Sequence, residues 1–222
     1  MNKKGRGTIE EDPFGVSEAD DAFFKAWNAM DVALEADFLR VGPYVVMHEW
    51  ERPLMQKCAE LMSVHNSDLL EIGFGMGISA TSFQEAGPRK HTIIEPHPEI
   101  YKTAIYWADS FSTDIRIIKG TWQDCVEDLG TFDAVYFDPC HAPSRQELDR
   151  VIFIRYAARR LLRDKGRLAL WFRNKYLPYP FQQVLLEHFS TVFLTQVDCG
   201  PPPVRLQQRG YRDKVVIPVA IK

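Results

Sequence analysis

The sequence has no run of apolar residues close to the roughly 18 that a membrane-spanning helix needs. No apolar signal segment follows the initial Met1-Asn2-Lys3-Lys4. Neither a transmembrane anchor nor export is expected. Cysteine is scarce: Cys58, Cys125, Cys140 and Cys199 are the only four, and no two are close enough for a zinc knuckle or a redox pair. That spacing predicts no metal site, and it points to reduced thiols in a cytoplasmic protein. Basic charge is not in excess either. With 27 Lys and Arg against 30 Asp and Glu, the net charge is -3, which gives no reason to expect nucleic acid or an anionic membrane as partner. No internal repeat is present. What remains is a chain of 222 residues, 45% hydrophobic, which is enough for one sizeable core and a single domain.

Residues 1–13 are charged or small and lack an apolar period, which predicts a mobile tail. Residues 14–60 read as an N-terminal helical segment with a dense supply of rings: Phe14, Phe23, Phe24, Trp27, Phe38 and Tyr44. Two roles are open for these rings. They are core for a helix pair, or some of them, with Phe24 and Trp27 foremost, cover a substrate as a lid. From residue 61 to 222 strand and helix signals alternate. Short β-branched or apolar runs fall at Asp68–Ile72, His91–Glu95, Asp114–Ile118, Asp133–Asp138, Arg167–Phe172, Thr191–Val197 and Lys214–Ile221. Leu148, Val151, Ile154, Ala158 and Leu161 lie at helical steps, and Gly166 is the expected end of that helix. Such alternation predicts an α/β fold, a seven-stranded and mostly parallel sheet flanked by helices.

The first strand runs into Leu70-Glu71-Ile72-Gly73-Phe74-Gly75-Met76-Gly77. A turn from strand end to helix start is where α/β sheets bind ligands, and glycine there admits positive φ and close approach of a ligand to the backbone. A dinucleotide turn needs its third glycine at residue 78, which is Ile. The spacing instead resembles the acidic-residue and G-x-G-x-G turn of class I methyltransferases, which implies a Rossmann-like sheet, S-adenosylmethionine as cofactor and S-adenosylhomocysteine as product. Glu95 closes the second strand, where a carboxylate can accept from both ribose hydroxyls. Thr121, Trp122 and Asp124 follow the third strand. Trp122 can flank an adenine and Asp124 can accept from its amino group; a core tryptophan and a solvated aspartate are the alternative.

Several separated blocks carry a wider resemblance. Met47, Trp50, Glu51, Pro53 and Met55 fit M-x-x-W-E-x-P-x-M, and Glu71 to Met76 fit E-V-G-F-G-M with one change. Gln84-Glu85-Ala86, Ile93-Ile94-Glu95, Lys119-Gly120 with Trp122, Phe132-Asp133 and Tyr136 with Asp138 follow in order. Over residues 20–222, more weakly in the last fifty, the chain resembles the guanidinoacetate N-methyltransferases and related guanidino N-methyltransferases. The resemblance implies that Met47, Glu71, Gly73, Gly75, Met76, Gly77 and Asp138 border the cofactor. It also implies that Glu51 and Asp138 hold a guanidino group.

That pairing is chemically sound. A guanidinium is planar, permanently charged and offers N–H donors in a fork that carboxylates complement. Attack on a sulfonium methyl needs a nitrogen lone pair, so the group must shed a proton. Asp138 is the better acceptor for it, and Glu51 orients the cation. Where the family receives a small carboxylate, this chain reads Trp171-Phe172-Arg173-Asn174-Lys175-Tyr176, and Pro139-Cys140-His141-Ala142-Pro143 follows Asp138. Arg173 or Lys175 can bind a carboxylate and Asn174 an amide or amino-acid head. A small-molecule guanidine is therefore the expected partner: guanidinoacetate, an arginine-like compound or a natural-product guanidine of secondary metabolism. Two other readings stay open: methylation of an amine or indole, and a non-catalytic binding protein. A homodimer is compatible with the sequence.

Overall fold

A computed structural model describes residues 18–142 and 145–222. The tail expected over 1–13, Phe14 and Pro143 lie outside the described residues. Helix α1 (Glu18–Trp27) leads into a three-stranded antiparallel sheet, β1 (Val32–Leu34), β2 (Phe38–Val41) and β3 (Tyr44–His48). A 3-10 turn at Glu49–Glu51 joins it to α2 (Arg52–Met62). The helical expectation for residues 14–60 thus holds at the two ends, with strand between them. The signal was a Gly42-Pro43 turn between two β-prone runs: Val41 pairs with Tyr44 across it, and Gly42 takes φ 52°.

The main unit alternates strand and helix: β4 (Asp68–Ile72), α3 (Ile78–Glu85), β5 (Lys90–Glu95), α4 (Pro98–Ala108), β6 (Asp114–Lys119), α5 (Trp122–Cys125), β7 (Phe132–Phe137), α6 (Gln146–Tyr156) and β8 (Leu162–Ala169). Then come α7 (Tyr179–His188), β9 (Thr191–Asp198), α8 (Val204–Gln208) and β10 (Lys214–Ile221). One seven-stranded sheet has the order β6-β5-β4-β7-β8-β10-β9, parallel up to β8, with β10 antiparallel to both of its neighbours. The expected sheet is present.

Helices cover both faces, so every residue of the central strand β4 is buried. On one face Phe137 stacks on Phe153 at 3.8 Å with Trp122 edge-on to both. On the other, Leu54, Met55 and Met62 of α2 pack with Tyr136 and Ile217. β4 also carries the fully buried Glu71, whose carboxylate takes the Ser79 hydroxyl and lies 2.9 Å from His91 Nε2. The other His91 ring nitrogen is 2.9 Å from Gln84 Nε2. A carboxylate in a sheet interior survives because its lone pairs are taken.

Two sequence boundaries shift. The helix after β7 continues past α6 as a π turn, Ala157–Leu161, and the fifth strand begins at Leu162. Pairing with β7 jumps from Phe132–Leu162 to Ala134–Arg167, so residues 163–166 bulge out and Gly166 sits in the bulge instead of ending the helix. Arg163 secures it through Asp133 at 2.7 Å and Asp68 at 2.8 Å. No helix among the described residues is long and apolar enough to cross a membrane.

Candidate active site

After β4 the chain turns to one side, through β5 and β6; after β7 it turns to the other. The carboxyl ends of β4 and β7 therefore flank the crevice where the strand order reverses. Asp138, just beyond β7, donates its backbone N–H to Ile72 O at 3.1 Å, and Gly73 donates to Ile94 O at 2.9 Å. The first bond draws the ends of β7 and β4 together, and the second ties the glycine turn to β5. A Cβ on Gly73, which sits at φ 93°, would lie 2.6 Å from Asp138 O. One on Gly75 would lie 2.9 Å from Met47 Sδ. Glycine is required at both places by the closeness of the opposing chain.

The N-terminal sheet closes the other side. Met47 Sδ accepts from Met76 N at 3.2 Å, which fixes β3 over the glycine turn. His48 then caps the 3-10 turn: its Nδ1 accepts from Trp50 N at 3.1 Å, and its own N–H donates to Glu51 Oε1 at 3.0 Å. This reciprocal cap points the Glu51 carboxylate back along the chain instead of out to solvent. Glu51 is only 4% exposed.

The resulting cavity encloses about 290 Å³. Gly73, Phe74, Gly75, Glu95 and Ile100 form one wall. Glu51, Asp138, His141, Arg150, Trp171, Arg173 and Tyr211 form another, with Phe23, Trp27 and Tyr44 over them. Glu95 accepts from Phe74 N at 3.0 Å and His97 N at 2.9 Å. Burial raises its pKa, opposed by those N–H groups and that of Gly75. The carboxylate keeps acceptor capacity for a further donor.

The far wall is electrostatically unbalanced. Burial, reinforced by Asp138, pushes Glu51 up to about 8. Burial also raises Asp138, opposed by the nearby Trp171 indole and by the Arg150 and Arg173 guanidinium groups. Arg150 is itself held below its usual value by burial, against the pull of Asp138. It donates to Trp171 O at 3.2 Å. Arg173 lies over the Tyr211 ring at 4.7 Å. Two carboxyl groups facing one cavity with raised pKa values fit a cationic ligand.

Of the residues singled out in the sequence, Met47, Glu51, Gly73, Gly75, Glu95, Asp138, Arg173 and Trp27 line this cavity together. Others stand off it. Glu71 reaches it only through Ser79. Gly77 caps α3, and Met76 contributes its N–H to Met47. Trp122 is in the core, and Thr121 caps α5 and donates to exposed Asp124 at 2.6 Å. Phe23 lines the cavity where Phe24 does not, and Asn174 and Lys175 are exposed. Arg150, Arg209 and Tyr211 were not anticipated. Arg150 lies between the apolar positions Leu148 and Val151 of α6, and the other two belong to a segment with no local signal. Among the described residues no group of three or more His, Cys, Asp or Glu is arranged to hold a metal, and the cysteines are unpaired.

Sheet order and glycine turn define the fold of the class I S-adenosylmethionine-dependent methyltransferases. The precorrin-6Y C5,15-methyltransferase of Geobacter metallireducens superposes with TM-score 0.59 at 15% identity, over 83% of this chain and 94% of that one. A methyltransferase solved in complex with S-adenosylhomocysteine gives 0.60 at 13% identity, over 86% and 56%. Within that class the guanidinoacetate N-methyltransferase family model matches residues 17–175, and the chain belongs to that family. It is also 37% identical over 102 residues to protein arginine N-methyltransferase 2 of Candida glabrata, covering 42% of this chain and 25% of the relative. The chain spans about a quarter of the length of the curated relatives it matches first.

Proposed function

We propose that the protein transfers a methyl group from S-adenosylmethionine to the guanidino group of a small molecule. The observation that carries this reading is the convergence of Glu51, from the turn after β3, and Asp138, from the end of β7, on a cavity whose other wall holds the glycine turn and Glu95. The cofactor supplies a methyl carbon on a positively charged sulfur. The residues present fit it: Gly73 and Gly75 leave backbone open to it, Glu95 has lone pairs for ribose hydroxyls, and no phosphate needs a basic clamp. Met47 packs where the glycine turn meets the substrate side.

Glu51 and Asp138 grip the planar cation through charge-assisted hydrogen bonds. That grip would hold the guanidino group beside the glycine turn, where a bound cofactor would offer its methyl group. Asp138 takes the N–H proton as the carbon–nitrogen bond forms, because a guanidinium has no lone pair to offer otherwise. Arg173, with Arg150 behind it, balances a carboxylate at the far end of the substrate. Phe23 and Trp27 of α1 act as the lid that excludes water. The burial of Glu51 in the cavity wall favours a free small molecule over a side chain on a folded protein.

The test is mass spectrometry of the protein with S-adenosylmethionine and a panel holding guanidinoacetate, arginine, other small guanidines, an arginine peptide, an amine and an indole. A one-methyl mass gain confined to free guanidines is expected. Turnover of only the amine, the indole or the peptide would overturn the substrate assignment.

A further inference from the structure

His141 is a buried side chain that this reading leaves unused. It stands three residues after Asp138, between β7 and α6, and lines the same cavity. Its Nδ1 lies 3.3 Å from Asp149 Oδ2 in α6. Asp149 in turn accepts from Arg145 Nε at 2.9 Å, and Arg145 reaches Asp20 of α1 at 3.4 Å. The imidazole is therefore fixed from behind. Its side chain is 4% exposed, yet Nε2 has no partner. A carboxylate on Nδ1 selects the tautomer with its hydrogen there and leaves a lone pair on Nε2. Buried polar atoms are seldom left bare without a functional reason.

The proposed reaction creates a need for such an atom. A cationic guanidinium and a cationic sulfonium enter; a cationic methylguanidinium and a neutral thioether leave. The N–C bond forms, the C–S bond breaks with its electron pair kept by sulfur, and one proton is released. On Asp138 that proton sits in the cavity beside a newly formed cation.

We propose that His141 is the exit for this proton, with Nε2 taking it from Asp138 and Asp149 holding the ring in the receiving tautomer. The proposal rests on the methyl-transfer reading above. The charged groups acting on the imidazole are Asp149 and Arg150 of α6 and Arg173 beyond β8, and Asp138, three residues before it, lines the same cavity. Burial first, then Arg150 and Arg173, hold His141 below 6.5, while Asp149 opposes them. Nε2 is thus bare at neutral pH and open to a proton. The methylguanidinium beside Asp138 favours the carboxylate and drives the transfer.

The experiment compares the full-length wild type with H141Q and H141A on the best guanidine of the panel, across pH. General acid–base assistance is worth about a hundredfold to ten-thousandfold in rate. We expect kcat of H141Q to fall by about that factor at neutral pH, with KM and calorimetric cofactor affinity kept within about twofold. In H141A added imidazole restores turnover, and the restoration fades as the imidazole becomes protonated. A merely structural histidine would not respond in that way. If H141A does not fold, H141Q decides. Wild-type kcat and pH profile in H141Q, or no imidazole rescue in a folded H141A, overturns the proposal and leaves the methyl-transfer reading standing. No wild-type turnover on any guanidine removes both.

Discussion

The two walls of the cavity are built differently. The glycine-turn wall comes from Gly73 to Ile100, consecutive strand ends and turns of one half-sheet, and its polar atoms are satisfied: both Glu95 oxygens accept backbone N–H groups. The opposite wall gathers Glu51, Asp138, Arg150, Trp171 and Tyr211 from separate stretches of chain. Its buried polar atoms are under-satisfied. Trp27 Nε1, His141 Nε2 and Arg150 Nε all lack hydrogen-bond partners, and Glu51 sits well above the usual carboxylate range. One wall is complete by itself, as suits a cofactor shared across a fold class. The other is poised for charge that a ligand brings, as suits a substrate particular to this chain.

Changing Asp138 breaks this contrast most completely. Asp138→Asn keeps the shape and removes the proton acceptor, so kcat should fall by about a thousandfold. Cofactor affinity by calorimetry should stay within about threefold, since the glycine wall is untouched. Loss of both together would mean that the walls are one unit.

Gly73→Ala attacks the opposite wall. With φ 93° and a Cβ only 2.6 Å from Asp138 O, the strand ends must separate. We expect a loss of about 2 kcal/mol or more in unfolding free energy and failure of cofactor binding, read by denaturant titration and calorimetry.

Glu51→Gln separates charge from shape. The backbone cap from His48 N can persist, so the fold should hold, while guanidine affinity drops by about tenfold or more for a lost charge-assisted bond. The pH dependence gives the sharper reading. In the ligand-free protein Glu51 titrates at about 8 against an ordinary 4.5. Between these values the native state holds more proton than the unfolded state, so this group's contribution to stability is present below 4.5 and is lost as pH rises to about 8. Gripping a cation requires the ionised form, so guanidine binding should tighten as pH rises from 6 to about 8 and release protons. Calorimetry in buffers of differing ionisation enthalpy reads the release, and Glu51→Gln should abolish it. A flat pH profile in the wild type would mean that Glu51 does not hold the cation.

The smallest effect is expected at Asp124→Ala. Asp124 is exposed and engaged with Thr121 outside the cavity, so cofactor affinity should change by less than about twofold and stability by about 0.5 kcal/mol at most. A fivefold or greater loss of affinity would extend the cofactor wall to α5.

Legibility follows the same division. The seven strands show in the sequence because buried parallel strands are short, β-branched and punctuated by glycine, and the turn at Gly73 to Gly77 shows because its function is local. The three-stranded N-terminal sheet was hidden by its aromatic residues, which suit helix and strand equally, although Gly42-Pro43 marked its hairpin. Trp122 and Asp124 illustrate the reverse: residue types suited to an adenine site, placed by α5 in the core and at the surface. Glu71, an acidic residue in the expected motif, turns inward to Ser79 and His91.

By itself the sequence determined the alternation of strand and helix, the backbone-open turn, and the family to which the paired Glu51 and Asp138 belong. These follow from local periodicity and from residues whose chemistry is fixed by type. Only the tertiary structure decided that Arg150, Tyr211 and His141 share a cavity with that pair, and that Glu51 is buried deeply enough to hold its proton at neutral pH. Burial and the neighbours it brings come from residues distant along the chain, and both set the charge state of a group more strongly than its own identity does.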